Sequence, residues 1–252
     1  MTVEVMKHIL DQLFTSSTIS VDPSLFKIAS PFVSNDALNG ISKFTYLNEF
    51  TETNKGRKLL DFGCGRAAHR GAIVKLGLEW HGIDLFDSSD FRGESTSVKD
   101  VIYYDGGRMP FGEEAFDVIF SSQSFEHVLN PYDSMAEVAR CLKRGGSFIG
   151  SVSFLEPYHA FSTFGYSPHG FITVAQKAGL APKRLHPETD GLGLIFRKLL
   201  VITKQPIADK AISSFNIESL LGDKAKTMSI AMINCLKLQF CGHFCFWFTR
   251  TV

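Results

Sequence analysis

The stretch "RKLLDFGCGRAAHR", residues 57–70, decides the fold. A charged lead is followed by a short, buried-looking strand at about 58–62 and then by Gly63 and Gly65. "RAAHRGAIVKLG" (66–77) continues with helical periodicity up to a glycine stop. Glycines at a strand-to-helix turn allow tight backbone and close approach of a ligand. The helix behind them offers unpaired N–H groups to an anion. Many α/β proteins carry such a turn, so its surroundings must say what it holds.

Outward from this turn the pattern repeats. "EWHGIDL" (79–85) reads as a second strand ending at Asp84, and "VKDVIYYDGGRMPF" (98–111) as a third strand up to Asp105. "AFDVIFSSQSFEHV" (115–128) holds a fourth strand at 116–121. "PYDSMAEVARCLKRGG" (131–146) is a helix with Met135, Val138, Ala139 and Leu142 on its apolar face. Lys143 and Arg144 suit the carboxyl end of its dipole, with Gly145 as the cap. A fifth strand, "SFIGSVSF" (147–154), a helix at 170–180 and a short sixth strand in "APKRLHPE" (181–188) follow. Strands alternating with helices predict a mostly parallel sheet covered on both faces. Ligands of such sheets sit beyond the carboxyl ends of the strands.

Asp84 follows Gly65 by 19 residues, and a carboxylate there can accept both hydroxyls of a ribose. Asp105 adds a second acidic group to the same rim. A pyrophosphate on the glycine turn would meet the charge of Asp61. A nucleoside carrying a cationic or amino group suits these three carboxylates better.

With these residues in view, the sequence resembles the class I S-adenosylmethionine-dependent methyltransferases, in particular their type 11-like small-molecule branch. The resemblance rests on "LLDFGCG", "GIDL", "YYDGGRMPFGEEAFDVIFSSQSFEHVLNP" and "MAEVARCLKRGG", and covers about 57–153 strongly. It implies a Rossmann-like α/β fold: a seven-stranded, mostly parallel sheet with an antiparallel last strand and helices on both faces. It implies S-adenosyl-L-methionine as cofactor, with S-adenosyl-L-homocysteine as product. Asp61, Gly63 and Gly65 would surround the methionine part. Asp84 would hold the ribose hydroxyls, with Leu85 against the adenine. Asp105 would meet the adenine amino group and the Gly106 backbone its ring, with Met109 lining the same pocket. Ser121 and Ser122, with Gln123, would lie under the methionine and sulfonium. The family's glycine two positions beyond Gly65 is Ala67 here. An alanine suits the first turn of a helix, so binding is expected to survive.

Methyl transfer needs an in-line nucleophile held near the sulfonium methyl in a partly dry pocket. Histidine titrates near neutrality and can accept a proton from a hydroxyl. His127, beside Glu126 in the loop after the fourth strand, is the first candidate base, though shaping the pocket is the favoured role for it. His159 is the second. It belongs to "SFLEPYHAFSTFGYSPHGF" (153–171), where Glu156, Tyr158, Tyr166 and His169 mix with aromatics as in a substrate pocket wall. The spacing of Glu156, His159 and His169 matches no metal-ligand pattern, so no metal is expected.

Lys plus Arg equals Asp plus Glu at 26 each, which leaves no basic footprint for nucleic acid. Five cysteines without framework spacing fit a reducing, cytoplasmic setting. "MTVEVMKHILDQLF" (1–14) is amphipathic but has no uninterrupted apolar core, so a secretory signal is not expected. Asn234, Lys237, Gln239 and His243 interrupt the most apolar window, 229–248, which argues against a transmembrane span. In "FCGHFCFWFTRTV" (240–252), Cys241, His243 and Cys245 lack a fourth zinc ligand. Alternation instead puts Phe244, Phe246 and Phe248 on one side and His243, Cys245 and Trp247 on the other, as in a seventh strand.

The expected organisation is a helical flank or lid at 1–54 and a methyltransferase-like domain at 55–252. A mainly helical insertion at about 192–240, with a strand at 196–203, precedes the last strand. The expected function is in-line methyl transfer to a small molecule (sugar, aromatic or lipid-linked) by a monomer or homodimer. A non-catalytic cofactor-binding or scaffold protein of the same fold stays open as the alternative. A nicotinamide oxidoreductase is disfavoured by the missing G-x-G-x-x-G.

Overall fold

The computed structural model describes residues 8, 12, 19–35, 37, 39–86, 98–204 and 216–251. The amphipathic segment 1–14 therefore lies outside the described residues, His8 and Gln12 apart. One sheet contains β1 (Lys58–Phe62), β2 (Glu79–Leu85), β3 (Val101–Tyr104), β4 (Phe116–Ser122), β5 (Leu142–Ser153), β6 (Leu180–Asp190) and β7 (Cys241–Arg250). Their order is β3-β2-β1-β4-β5-β7-β6. The first five strands pair in parallel, and β7 runs antiparallel to both β5 and β6. The expected seven-stranded Rossmann-like sheet is the one observed.

Helices α1 (Pro23–Ala29) and α2 (Lys43–Thr53) precede β1, and α3 (Arg70–Lys75) connects β1 to β2. α4 (Pro131–Cys141) connects β4 to β5, and α5 (Pro168–Lys177) connects β5 to β6. Between β6 and β7 lie α6 (Gly191–Ile202), α7 (Ile217–Leu221) and α8 (Ile230–Phe240). Side-chain oxygens hold the starts of several. Ser167 accepts from Gly170 N–H at 3.1 Å, and Ser229 from Met232 N–H at 3.2 Å. Such caps satisfy N–H groups that a helix cannot pair internally.

The strand expected at 196–203 is helical instead. Asp190 accepts from the N–H groups of Leu192 and Gly193, which starts α6 at the end of β6. An apolar run of this length does not distinguish strand from helix by pattern, and the cap decides it. The sixth strand is longer than its sequence suggested because it pairs with β7 from Leu180 to Asp190. Gly145 does not cap α4. The helix ends at Cys141, and Leu142 turns extended to pair with Phe116. Lys143 and Arg144 accordingly reach Asp117 at 2.8 Å and Glu114 at 3.3 Å rather than the helix end.

Alternating strand residues feed two cores, one on each face of the sheet. Ile119, Phe148, Phe244, Phe246 and Phe248 join Met135 of α4 and Phe171 of α5 on one face. Phe120, Ile149, Cys245 and Trp247 join Tyr46 and Leu47 of α2 and Ile73 of α3 on the other. The alternation read from "GHFCFWFT" is the one that fills these two layers. α8 packs on α1, and buried Asn234 donates to the carbonyls of Ser34 and Ala37 at 3.1 and 2.8 Å. Among the described residues no helix is long and apolar enough to cross a membrane.

Phe246 is fully buried, with ring centroids 4.8 Å from Phe148 and 4.7 Å from Phe171. Phe246→Ala should destabilise the chain by about 3–5 kcal/mol, read from the urea midpoint. An unchanged midpoint would mean that this aromatic seam is not part of the cooperative core.

Candidate active site

The backbone after β1 folds back on β2. The N–H groups of Gly63 and Cys64 both donate to the Ile83 carbonyl, at 2.9 and 3.2 Å. The Gly65 N–H donates to one Asp84 carboxylate oxygen, and the Leu85 N–H to the other at 2.7 Å. Asp84 thus ties the glycine turn to the end of β2 while remaining buried. Gly63 has φ +68°, and a Cβ there would overlap the Ser124 side chain. Glycine is required at this position by both conformation and close approach.

Ala67 has φ +58°, and α3 begins only at Arg70. The expectation of an alanine in a regular helical first turn is therefore corrected. Residue 67 occupies the left-handed region, where a Cβ costs on the order of 1 kcal/mol. This is the conformation that the family's glycine would adopt without strain.

Asp61 lies at the carboxyl end of β1 with 1% exposure, and the indole of Trp80 donates to it at 3.0 Å. Trp80 can reach across because Gly82 lies under its ring, where a Cβ would collide. Arg70 stacks over the outer side of the indole at 5.0 Å. Burial pushes the Asp61 carboxyl up to about 7; the Trp80 hydrogen bond opposes this and the Asp84 charge adds to it.

The residues expected at the adenine cluster at the ends of β2 and β3. Asp105 is exposed and accepts from the Gly107 N–H at 2.9 Å. Gly106 has φ +88° and lies against Leu85, where a Cβ would come to 3.2 Å from Cδ2. Met109 is only 1% exposed and belongs to the main core, with its N–H bonded to Glu137 at 2.8 Å. Ser121 is fully buried at the end of β4, and its hydroxyl has no hydrogen-bond partner. Ser122 is half-buried, and Gln123 adopts φ +55° with its amide 3.1 Å from the Ser151 hydroxyl.

Beyond β4, a 3₁₀ turn (Phe125–His127) meets the loop after β5. The Glu126 carbonyl accepts from the N–H groups of Thr163 and Phe164, at 2.6 and 3.0 Å. The His127 and His159 rings are edge-on with centroids 5.5 Å apart. Glu156 accepts from Ser153, lies 2.5 Å from Nε2 of His243 and 3.6 Å from Nδ1 of His159. Burial raises the Glu156 carboxyl, but the bonds from His243 and Ser153 outweigh it and hold it below the usual range. Burial pushes the Glu126 carboxyl up to about 7. Glu156, Tyr158 and His159 line a cavity of about 260 Å³ within this loop. Tyr166 and His169, expected in the same wall, do not. Tyr166 is buried among Phe164 and Phe171 and donates to the Phe125 carbonyl, while His169 is exposed on α5. His243, read from sequence only as a strand residue, joins the site instead. The signal was available in the topology: a last strand antiparallel to β5 starts where β5 ends, and His243 pairs with Ser153.

Comparison with known proteins agrees with this geometry. Residues 60–150 match a family model described as a methyltransferase domain. A ubiquinone biosynthesis O-methyltransferase of Ruegeria sp. (strain TM1040) is 27% identical over 182 residues, 63% of this chain and 70% of that protein. An uncharacterized methyltransferase of Mycobacterium sp. (strain KMS) is 29% identical over 116 residues, 45% of this chain, and the match spans under half (46%) of that protein. Among solved structures, a putative sarcosine dimethylglycine methyltransferase from Galdieria sulphuraria superposes with a TM-score of 0.53 at 14% identity, covering 82% of this chain and 86% of that one. Residues 60–150 thus carry a methyltransferase domain of the class I S-adenosylmethionine-dependent kind, whose cofactor is S-adenosylmethionine.

In the fold Asp61 keeps its proton up to about pH 7, against 3.8 for a free side chain. The cofactor-free native state therefore binds a proton that the unfolded chain releases, and stability falls as pH rises from about 4 to about 7. Asp61→Asn should flatten this slope in unfolding experiments across that window. Equal slopes for the two chains would show that Asp61 ionises normally.

Proposed function

We propose that the chain transfers the methyl group to a hydroxyl-bearing small molecule held in the loop cavity after β5. The observation that carries this reading is the turn after β4, which touches both halves of the site. Ser124 donates to the Gly63 carbonyl at 3.1 Å on one side, and Glu126 accepts from Thr163 and Phe164 on the other. A few residues thus couple the glycine turn to the cavity, the coupling that in-line attack between the two halves requires.

The residues present fit the cofactor. Asp61 is a buried carboxylate beside a second one, an arrangement that a cationic ligand relieves. The contact between Leu85 and Gly106 leaves a slot edge without a Cβ, suited to a flat ring. The orphaned Ser121 hydroxyl is a polar group in need of a partner. When bound, the cofactor supplies an electrophilic methyl group on a sulfonium. In this reading Asp61, Gly63 and Gly65 bind its methionine part, and Ser121 and Ser122 lie beneath the sulfonium. Asp84, already bonded to the Gly65 and Leu85 N–H groups, holds the ribose hydroxyls. Leu85, Asp105 and Gly106 receive the adenine, and Met109 supports that pocket from the core. His127 and His159 orient the acceptor and take its hydroxyl proton.

The polar cavity and the O-methyltransferase relative both favour an oxygen acceptor. The same proposal includes a helical flank at 1–54, a domain at 55–252 with its helical insertion at about 192–240, and a cytoplasmic setting. Five buried, unpaired cysteines support that setting.

Isothermal titration with S-adenosylmethionine and S-adenosylhomocysteine tests the reading. Asp84→Ala should weaken both by about tenfold or more, equivalent to about 1.4 kcal/mol. Affinity equal to that of the unaltered chain would remove Asp84 from the ribose site.

A further inference from the structure

We infer that Glu126, His127 and His159 form a binding site for a divalent transition-metal ion beside the loop cavity. One donor atom from each lies within 4.8 Å of the others. Tetrahedral donors about 2.1 Å from an ion lie about 3.4 Å apart, so the set must close by up to about 1.4 Å. Rotation of the two imidazoles about their side-chain bonds is the movement that would close it. The sequence spacing concealed it, because the residues come from two loops that meet only through β4 and β5.

A second observation points to a ligand. Glu126 is fully buried, and neither carboxylate oxygen has a partner in good hydrogen-bond geometry, the backbone N–H groups of Glu126 and Ser153 being its nearest polar neighbours. A buried carboxylate left in this way is costly, and a cation satisfies it directly. Glu156 lies 3.6 Å from Nδ1 of His159, the ring nitrogen turned away from the ion in this reading, and is itself held by Ser153 and His243. A carboxylate beside a ligating imidazole, fixed in turn by further bonds, is how metal sites orient their histidines.

The donor set selects the ion. Two imidazoles and one carboxylate suit zinc and its first-row neighbours, whereas magnesium and calcium prefer oxygen alone. Three protein ligands leave a position open, and His159 lines the cavity from which an oxygen ligand could fill it. A bound ion draws on the imidazole lone pairs that proton acceptance also requires, so the two are alternative states of this pair. The site goes beyond methyl transfer and stands whether or not that reading holds.

The test uses the full chain stripped of metal with a chelator. Titration with Zn2+ should show one ion per chain, and Co2+ should give visible d–d absorption without a thiolate charge-transfer band. His159→Ala and Glu126→Gln should each weaken binding about tenfold or more. Circular dichroism of the metal-free variants checks that they are folded; His159 is in a loop, so its variant remains informative if Glu126→Gln misfolds. No binding to the unaltered chain, unchanged affinity in folded variants, or a thiolate band would each overturn the site.

Discussion

The backbone ladder of β7, antiparallel to β5 on one side and to β6 on the other, leaves the side chains of residues 244–248 buried on both faces. Phe244, Phe246 and Phe248 complete the core beneath α4 and α5, while Cys245 and Trp247 complete the one beneath α2 and α3. Trp247 also donates to Ser147 at 3.0 Å, so its polar edge is satisfied inside the protein. The helices on both sides are held by one strand. Its direction has a second effect: it starts at the carboxyl edge of the sheet and delivers His243 to Glu156.

The site depends on the same edge. Backbone bonds from Gly63 and Cys64 to Ile83, and from Gly65 to Asp84, bind the glycine turn to β2. Ser124 binds that turn to β4, and the Glu126 carbonyl binds β4 to the loop after β5. Each link is a hydrogen bond between loops carried by adjacent strands, so loop positions follow the sheet. The strain sits at these junctions, with Ala67 and Gln123 both in the left-handed region. Strained backbone at strand ends persists because the surrounding sheet over-determines it.

Most of the sheet was legible because strands buried on both faces read as short apolar runs between turns. The acidic residues at the ends of β1, β2 and β3 were legible for the same reason, since a strand end locates its last residues on one rim. Local boundaries were less so. "CLKRGG" has the composition of a helix end, yet Leu142 pairs with Phe116, because the sheet offers it a ladder bond. "FRKLLVI" is apolar enough for a strand, yet Asp190 caps it into α6. Tyr166 read as a pocket residue by its position in the loop and proved to be core by packing on Phe171.

What the sequence alone determined is the period of its apolar residues and the placing of glycines and carboxylates at strand ends; from these follow the fold class and the acidic rim. These are local properties, set by residues a few positions apart. Only the tertiary structure decided that Glu126, His127 and His159 converge, that Glu156 meets His243 across 87 residues, and that Trp80 covers Asp61. Such contacts depend on which strands become neighbours and in what register. That is settled by the burial of the whole sheet, and no single segment carries it.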